Sequence, residues 1–285
     1  MGYLFLRFPG GKSKAVTLSY DDGVQDDIKF LEIINKYGLK CTFNLMGYRV
    51  DGNSPLSKEF IESEMLNKGH EIAVHGFYHR ALNLVKPVEA IRDVLNCRMT
   101  LEKTFNRIIR GMAFPDIGLN RNDYPEAYSK IKPLLESLDI AYARSAGGDN
   151  NNFNLPEDWL NWIPTIHHNN ANAFEYIDKF LSLDVNDNYS ASRQSRLFFM
   201  WGHSFEFERA NNWERLEEIC QKLSNKEDIW YATNMEICSY VKAYESLVYS
   251  ADGFTIYNPT LYEIWLELDK VLYSIKPGET LRIYA

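Results

Sequence analysis

The run Ala15-Val16-Thr17-Leu18-Ser19-Tyr20-Asp21-Asp22-Gly23 is where the reading of this chain starts. The apolar and β-branched residues from Ala15 to Tyr20 predict a buried strand, and the acidic pair with its glycine predicts the turn that ends it. From Asp26 to Tyr37 the spacing changes. Ile28, Leu31 and Ile34, with Phe30 and Ile33 beside them, make one face of a helix that Gly38 stops. Cys41–Met46 then reads as the next strand. A strand, a helix and a strand in such close succession form a crossover unit with parallel strands.

Outward from this unit the pattern repeats. Ser57–Lys68 predicts a helix ended by Gly69, Glu71–His75 a strand, and Pro87 opens a helix that runs to about Phe105. Ile109–Phe114, Ile140–Arg144, Asn161–Ile166, Leu197–Trp201 and Ile229–Ala232 are further strands. Helical patterns at Glu126–Leu138, Phe174–Leu183, Trp213–Leu223 and Met235–Tyr244 separate most of them. Such a series predicts an α/β fold with a parallel sheet of about seven strands, either closed into a barrel or left open and doubly wound. No strand is followed by G-x-G-x-x-G, so a dinucleotide-binding sheet has no support. Pro9-Gly10-Gly11-Lys12-Ser13 is a turn, because the first glycine of a phosphate loop would fall at Leu6. Ala146–Asn154 is the most irregular loop. After Ser246 the residues alternate apolar and polar around Asp252-Gly253 and Lys276-Pro277-Gly278, which predicts a barrel domain over 1–245 and a small antiparallel β appendage over 246–285.

Of the 285 residues 45% are apolar, enough for a sizeable core, and 31 basic against 39 acidic side chains leave a net charge of −8. With no lysine or arginine cluster, nucleic acid and anionic membranes are poor partners. Apolar runs such as Leu197–Trp201 are too short to span a bilayer. The first residues carry no basic stretch followed by a long apolar one, so the expected location is cytoplasmic. Cys41, Cys97, Cys220 and Cys238 form no C-x-x-C pair and are expected as reduced, buried thiols.

Polar residues gather where the strands end: Asp21 and Asp22, His75, Pro115 and Asp116, Arg144, His167 and His168, and His203. In a parallel barrel all those ends open on one face, where active sites lie. On a helical turn, His75 and His79 would face one metal ion, and Asp22 would complete a set of two histidines and one carboxylate. Zn²⁺ or another late first-row ion suits such a set. The alternatives are a surface histidine pair and an Asp-Gly turn. Asp26 and Asp27 are read as first-turn carboxylates favoured by the helix dipole.

The motifs SYDDG (Ser19–Gly23), HGFYH (His75–His79) and WGH (Trp201–His203), in this order, resemble the polysaccharide deacetylase family, the NodB-homology domains of carbohydrate esterase family 4. The resemblance runs from about Ala15 to Tyr244 and implies a distorted (β/α) barrel. It implies Asp21 as catalytic base, Asp22, His75 and His79 as ligands of one divalent metal (Zn, with Co, Mn, Ni or Fe as alternatives), and His203 as general acid. The family's R-x-P-aromatic-Gly motif falls at Ala113-Phe114-Pro115-Asp116, with Ile117 inserted before Gly118, so its arginine is missing. Arg144 is the expected substitute, and an ordinary salt-bridged arginine is its other reading. The N–H of Asp116, directly after Pro115, would hold the oxyanion, with Pro115, His168 and Trp201 near the substrate. The family's Asp-plus-Trp motif that tunes the acid has no clean counterpart; Asp158-Trp159 and Glu206 are the two candidates. Tyr48, Phe77 and Trp162 are possible stacking residues for a sugar. The implied reaction is metal-dependent removal of N-acetyl groups from an amino sugar. A hydrolase of another C–N bond, in a cyclic amide or ureide, and a non-catalytic carbohydrate-binding relative are the alternatives.

Overall fold

The computed structural model describes residues 2–116, 125–145, 147, 149–186, 189 and 192–283. Its first nine strands are β1 (Leu4–Arg7), β2 (Lys14–Asp22), β3 (Cys41–Leu45), β4 (Glu71–Val74), β5 (Gly111–Ala113), β6 (Tyr142–Arg144), β7 (Ile166–His167), β8 (Arg196–Gly202) and β9 (Ile229–Tyr231). From β2 onward they form one parallel sheet in the order β6-β5-β4-β3-β2-β8-β7, with β9 also on β2. The nine-residue β2 is its axis. β8 follows it from Lys14 to Tyr20, while its other edge is divided between β9 at Lys14–Val16 and β3 at Leu18–Asp22.

The sheet curls until its ends nearly meet. Trp162 bridges to Arg144 on β6, its N–H donating to Ala143 O at 2.9 Å, and Thr165 N–H donates to Phe199 O of β8 at 2.7 Å. The single strand expected over Asn161–Ile166 is therefore split between a bridge and β7. Pro164 between them has no N–H to offer a ladder. The result is the distorted (β/α) barrel that the resemblance implied, the closed one of the two arrangements the strand series allowed.

Alternation along β2 sorts its side chains. Val16, Leu18 and Tyr20 face outward and join one apolar cluster with Phe30, Leu31 and Ile34 of helix Asp27–Lys36 and with Leu216 and Ile219 of helix Trp213–Leu223. Burying each such side chain contributes about 2 kcal/mol. Thr17, Ser19 and Asp21 face inward. At the N-terminal end the interior is a polar plug: Thr17 Oγ1 donates to Asn234 Oδ1, Thr42 Oγ1 to Glu71 Oε2 and Tyr142 OH to Glu71 Oε1. The first turn of helix Asn234–Glu245 adds Met235 N–H, which donates to Glu71 Oε2 at 2.9 Å. That end is filled, so the opposite rim is left for a site.

Beyond the barrel come β10 (Val248–Tyr249), β11 (Thr255–Tyr257), β12 (Ile264–Leu268), β13 (Val271–Ile275) and β14 (Thr280–Arg282). They build two antiparallel sheets, β10-β11-β14 and β1-β12-β13, so the second recruits a strand from the other end of the chain. The expected insertion at Ile117 and Gly118, and Ala146 and Gly148 of the irregular loop, lie outside the described residues. All four cysteines are free and buried. Among the described residues no helix is long and apolar enough to cross a membrane.

Candidate metal centre

Neighbouring residues of a strand point to opposite faces, yet Asp21 and Asp22 reach the same cleft. The reason is the backbone of Asp22, whose φ of +83° turns its carboxylate back over the strand end. His75 Nε2 is then 3.8 Å from Asp21 Oδ2 and 3.6 Å from Asp22 Oδ1. His75 closes β4, and its Nδ1–H donates to Ala113 O at the end of β5, 3.0 Å away. A carbonyl can only accept, so the lone pair of this imidazole sits on Nε2.

His79 does not arrive by a helical turn, contrary to the expectation from its spacing. Residues 75–79 are irregular, with φ of +70° at Gly76 and +57° at His79. A Cβ on Gly76 would lie 2.4 Å from Asp93 Oδ2. Asp93 anchors this loop, accepting from Tyr78 N–H through Oδ1 at 2.8 Å and from Phe77 N–H through its carbonyl at 2.9 Å. Held in this way, His79 Nε2 is 3.5 Å from Asp22 Oδ1. Arg49 braces the other side, donating to the carbonyls of Asp22 and Gly23.

Asp22 Oδ1 and His75 Nε2 are both buried without a hydrogen-bond partner. An unsatisfied buried acceptor costs about 1–3 kcal/mol, and here two of them face each other. The ligand atoms of Asp22, His75 and His79 all lie within 4.8 Å of one another. Burial also lowers the pKa of His75, despite the two nearby aspartates, and so favours the neutral form that coordinates. The donor set fits one divalent cation.

Asp21 is held separately. Its Oδ2 is ion-paired with Arg144 and its Oδ1 accepts from Asn44 Nδ2 at 2.8 Å. Burial pushes this carboxyl up, but Arg144, His75 and His203 outweigh it and hold it below its usual value. Arg144 is fully buried, with its guanidinium 4.5 Å from the centre of the Trp201 ring. Its position follows from the sheet: Ala113 on β5 pairs directly with Arg144 on β6. The guanidinium missing at Ala113 is thus delivered from the next strand.

His203 follows β8 and presents Nε2 at 3.9 Å from Asp21 Oδ2, on the side away from His79. Its Nδ1 is 3.5 Å from Glu206 Oε1. Burial would lower its pKa, but Glu206, Asp21 and Asp22 raise it above the usual histidine value. Glu206 Oε2 also lies 3.1 Å from both His167 Nε2 and His168 Nε2. Against the upward push of burial, the three imidazoles hold the Glu206 carboxyl far below the usual range.

His167, His203 and Glu206 form a second cluster of metal-ligand type, but the ring nitrogens play other roles in it. Asn169 N–H donates to His167 Nδ1 at 3.1 Å, so His167 turns an N–H, not a lone pair, toward Glu206. The buried Tyr20 hydroxyl lies 3.2 Å from His168 Nδ1, a contact in which either group can donate. In the second cluster the Glu206 carboxylate is ringed by three imidazoles within 3.5 Å, of which His168 Nε2 and His203 Nδ1 make no hydrogen bond.

Several expectations need correction. His168 is fully buried behind Glu206 and does not line the cleft, and a Cβ at Gly202 would collide with its ring at 1.9 Å. Trp162 is buried between Tyr142 and Phe199 and offers no face to a ligand. Asp158 binds Tyr128 and Lys132, leaving Glu206 beside His203. Asp27 is a fully buried acceptor of Ser204 Oγ–H (2.6 Å) and Val24 N–H (3.0 Å), and burial pushes it up to about 7. Pro115 is buried, while Asp116, at φ +57°, is exposed with its N–H 3.4 Å from His79 Nε2. Asn44 escaped the sequence reading and Asp27 was read only as a first-turn carboxylate, since nothing in a strand asparagine or a helix-start aspartate signals such a contact.

A distorted parallel barrel with an aspartate pair and two histidines on its C-terminal rim is thus the class of molecule in hand. Residues 9–132 match the family model described as polysaccharide deacetylase, so the resemblance carried by the motifs is shown over that stretch. It contains Asp21, Asp22, His75, His79 and Asp116; Arg144, Trp201 and His203 lie beyond it. The peptidoglycan-N-acetylglucosamine deacetylase of Bacillus cereus is 27% identical over 104 residues, which cover 36% of this chain and 46% of that protein. The match thus spans about half the length of that relative. Among solved structures, a Mycobacterium smegmatis protein assigned as a polysaccharide deacetylase superposes with a TM-score of 0.56 at 17% identity, covering 86% of this chain and 96% of the other. A mutant of the peptidoglycan deacetylase PdaC of Bacillus subtilis gives 0.50 at 17% identity, with 82% and 94% covered. These likenesses show the fold.

Proposed function

We propose that this protein is a metal-dependent hydrolase that removes N-acetyl groups from an amino sugar within an oligo- or polysaccharide. The observation that carries the reading is the pair of orphaned buried acceptors, Asp22 Oδ1 and His75 Nε2, facing each other beside a carboxylate, Asp21, that is held independently. Asp22, His75 and His79 would hold one divalent ion, with Zn²⁺ as first choice for two nitrogens and one oxygen and Co, Mn, Ni or Fe as alternatives. Such an ion supplies a Lewis acid for the acetamide carbonyl and a source of hydroxide near neutral pH. Asp21 accepts the proton of the attacking water; Arg144 and Asn44 hold its two oxygens in place and keep it ionised. The N–H of Asp116 points at His79 Nε2 from 3.4 Å; with that nitrogen on the ion it would be free to donate to the oxyanion, a role that tolerates the change of side chain. An amine leaves only when protonated, and His203 Nε2 would carry that proton, with the Glu206 carboxylate 3.5 Å behind Nδ1 favouring the imidazolium. Residues 1–245 would be the catalytic unit, with the strands after 245 as its brace. The name of the Bacillus cereus relative supports an N-acetylglucosamine polymer as the class of substrate.

The test is the metal content of the purified protein beside His75→Ala, followed by acetate release from N-acetylglucosamine oligomers. About one metal in the centre, lost with Asp22→Ala or His75→Ala, is expected. Asp21→Asn should keep the metal and lose turnover by about a hundredfold or more. Metal without acetate would move the reading to cyclic amides or a binding role, and a centre that takes no metal would remove the mechanism.

A further inference from the structure

Two tyrosines stand on the rim with their rings open to solvent, Tyr48 being 40% and Tyr78 57% exposed. Their ring centres are 6.4 Å apart and their planes differ by 29°, so the rings lie near-parallel, with Phe77 packed edge-on against Tyr78 at 4.7 Å. Their placement is fixed by backbone. Beyond the ends of β3 and β4 the chains stay paired, Gly47 N–H donating to Gly76 O at 3.1 Å and Tyr48 N–H to Phe77 O at 3.0 Å. Tyr78 N–H is held by Asp93, and the Arg80 guanidinium covers part of its ring from 5.0 Å. Tyr78 immediately precedes His79 on the loop that carries the metal-type histidines.

From this arrangement we propose that Tyr48 and Tyr78 form a stacking subsite for a pyranose ring next to the ring whose acetamide is cleaved. A pyranose has an apolar face of axial C–H groups and a rim of hydroxyls. A tyrosine has an apolar, electron-rich face and a hydroxyl at its tip, so it meets both. Because the backbone beneath both rings is fixed before binding, no loop ordering opposes stacking. The subsite lies beyond the ends of β3 and β4, separated by β2 from β8 with Trp201 and His203 at its end, and so would select a chain of sugars over a single one. Tyr257 is also exposed, but it lies on the C-terminal sheets, which share a core with Ala15 and Leu197 at the other end of the barrel strands.

The inference rests on the amino-sugar reading, and one experiment separates their fates. The metal-loaded protein is assayed with the tetramer and the dimer of N-acetylglucosamine, and tetramer affinity is measured by calorimetry in an Asp21→Asn background. Tyr48→Ala and Tyr78→Ala should each raise the tetramer KM and weaken its binding about three- to tenfold, with a much smaller effect on kcat. The advantage of the tetramer over the dimer should shrink, Tyr→Phe at either position should restore stacking, and Tyr257→Ala should change nothing. Acetate release with undiminished tetramer affinity in the Tyr48→Ala, Tyr78→Ala double variant overturns the subsite alone. So does an equal loss with Tyr257→Ala. If the wild type neither binds the tetramer nor releases acetate, the amino-sugar reading falls and takes the subsite with it.

Discussion

At the scale of single residues, the Glu206–His203 pair carries the sharpest consequence. Glu206 sits three residues after His203 on the short helix Phe205–Ala210, and its negative charge is among the causes that raise the pKa of His203. Raising that pKa keeps the imidazolium, the proton donor, present to higher pH. Glu206→Gln keeps the shape but removes the charge, so the pKa of His203 must fall and the acid form must disappear at lower pH. The alkaline limb of kcat against pH should therefore move down by about one unit, with metal content unchanged. A limb that stays in place would mean that the limb belongs to another group. The residues of this site were legible unevenly. Asp21, Asp22, His75, His79 and His203 stand in motifs and at strand ends, where spacing can be read. Glu206 was visible only as one of two acidic neighbours, because nothing in the chain says that His167 and His168 converge on it from β7.

At the scale of elements, what matters is how strand ends are tied together. The boundaries of the long helices follow the sequence closely, since a sustained apolar stripe with Pro87 at one end has few other solutions. Two elements did not. Asn161–Ile166 was interrupted by Pro164, and β1 was too short and too near the chain end to announce a partner more than two hundred residues away. A third feature, the Asp27–Ser204 hydrogen bond, joins the start of helix Asp27–Lys36 to the turn after β8 and so links the base side of the cleft to the acid side. Asp27 is raised from 3.8 to about 7, chiefly by burial. Between those values the folded protein keeps a proton that the unfolded chain has lost, so this group's stabilisation is full at low pH and is lost as pH rises toward and through 7. Asp27→Asn abolishes that dependence. Relative to wild type, with chelator present, the variant should gain about 2–3 kcal/mol between pH 5 and pH 8 in urea unfolding. A difference between the two proteins that is the same at both pH values would show that Asp27 does not titrate in this window.

At the scale of the whole molecule, the two chain ends meet under the barrel. β1 pairs with β12 from Leu4–Leu268 to Arg7–Trp265, and Arg7 and Arg193 close on the buried carboxylate of Glu267 at 2.7–2.8 Å. Around them Leu6, Phe8, Ile264, Leu266 and Ile275 form one apolar cluster with Ala15, Leu197 and Phe199 of the barrel and with Ile237, Tyr240 and Val241 of helix Asn234–Glu245. Tyr240 OH donates to Arg7 O at 2.9 Å and receives Trp265 N–H at the same distance, so that helix is clamped between the barrel and the C-terminal sheet. The same helix plugs the inner end of the barrel through Asn234 and Met235. Strain from bracing the metal-type rim, such as the left-handed backbone of Asp22, is therefore opposed by a rigid base at the other end of the strands. Arg7→Ala removes one of two guanidiniums from a buried carboxylate and opens space beneath β12. It should destabilise the protein by about 3 kcal/mol in denaturant unfolding, the order seen when one partner of a buried ion pair is lost. Metal content at temperatures where the variant remains folded should match wild type, because the rim is held by its own hydrogen bonds to Ala113, Asp93 and Arg49. A variant that unfolds like wild type would show that β1 rests on the barrel without bracing it. One that stays folded but loses metal would show that the base and the rim are mechanically a single unit.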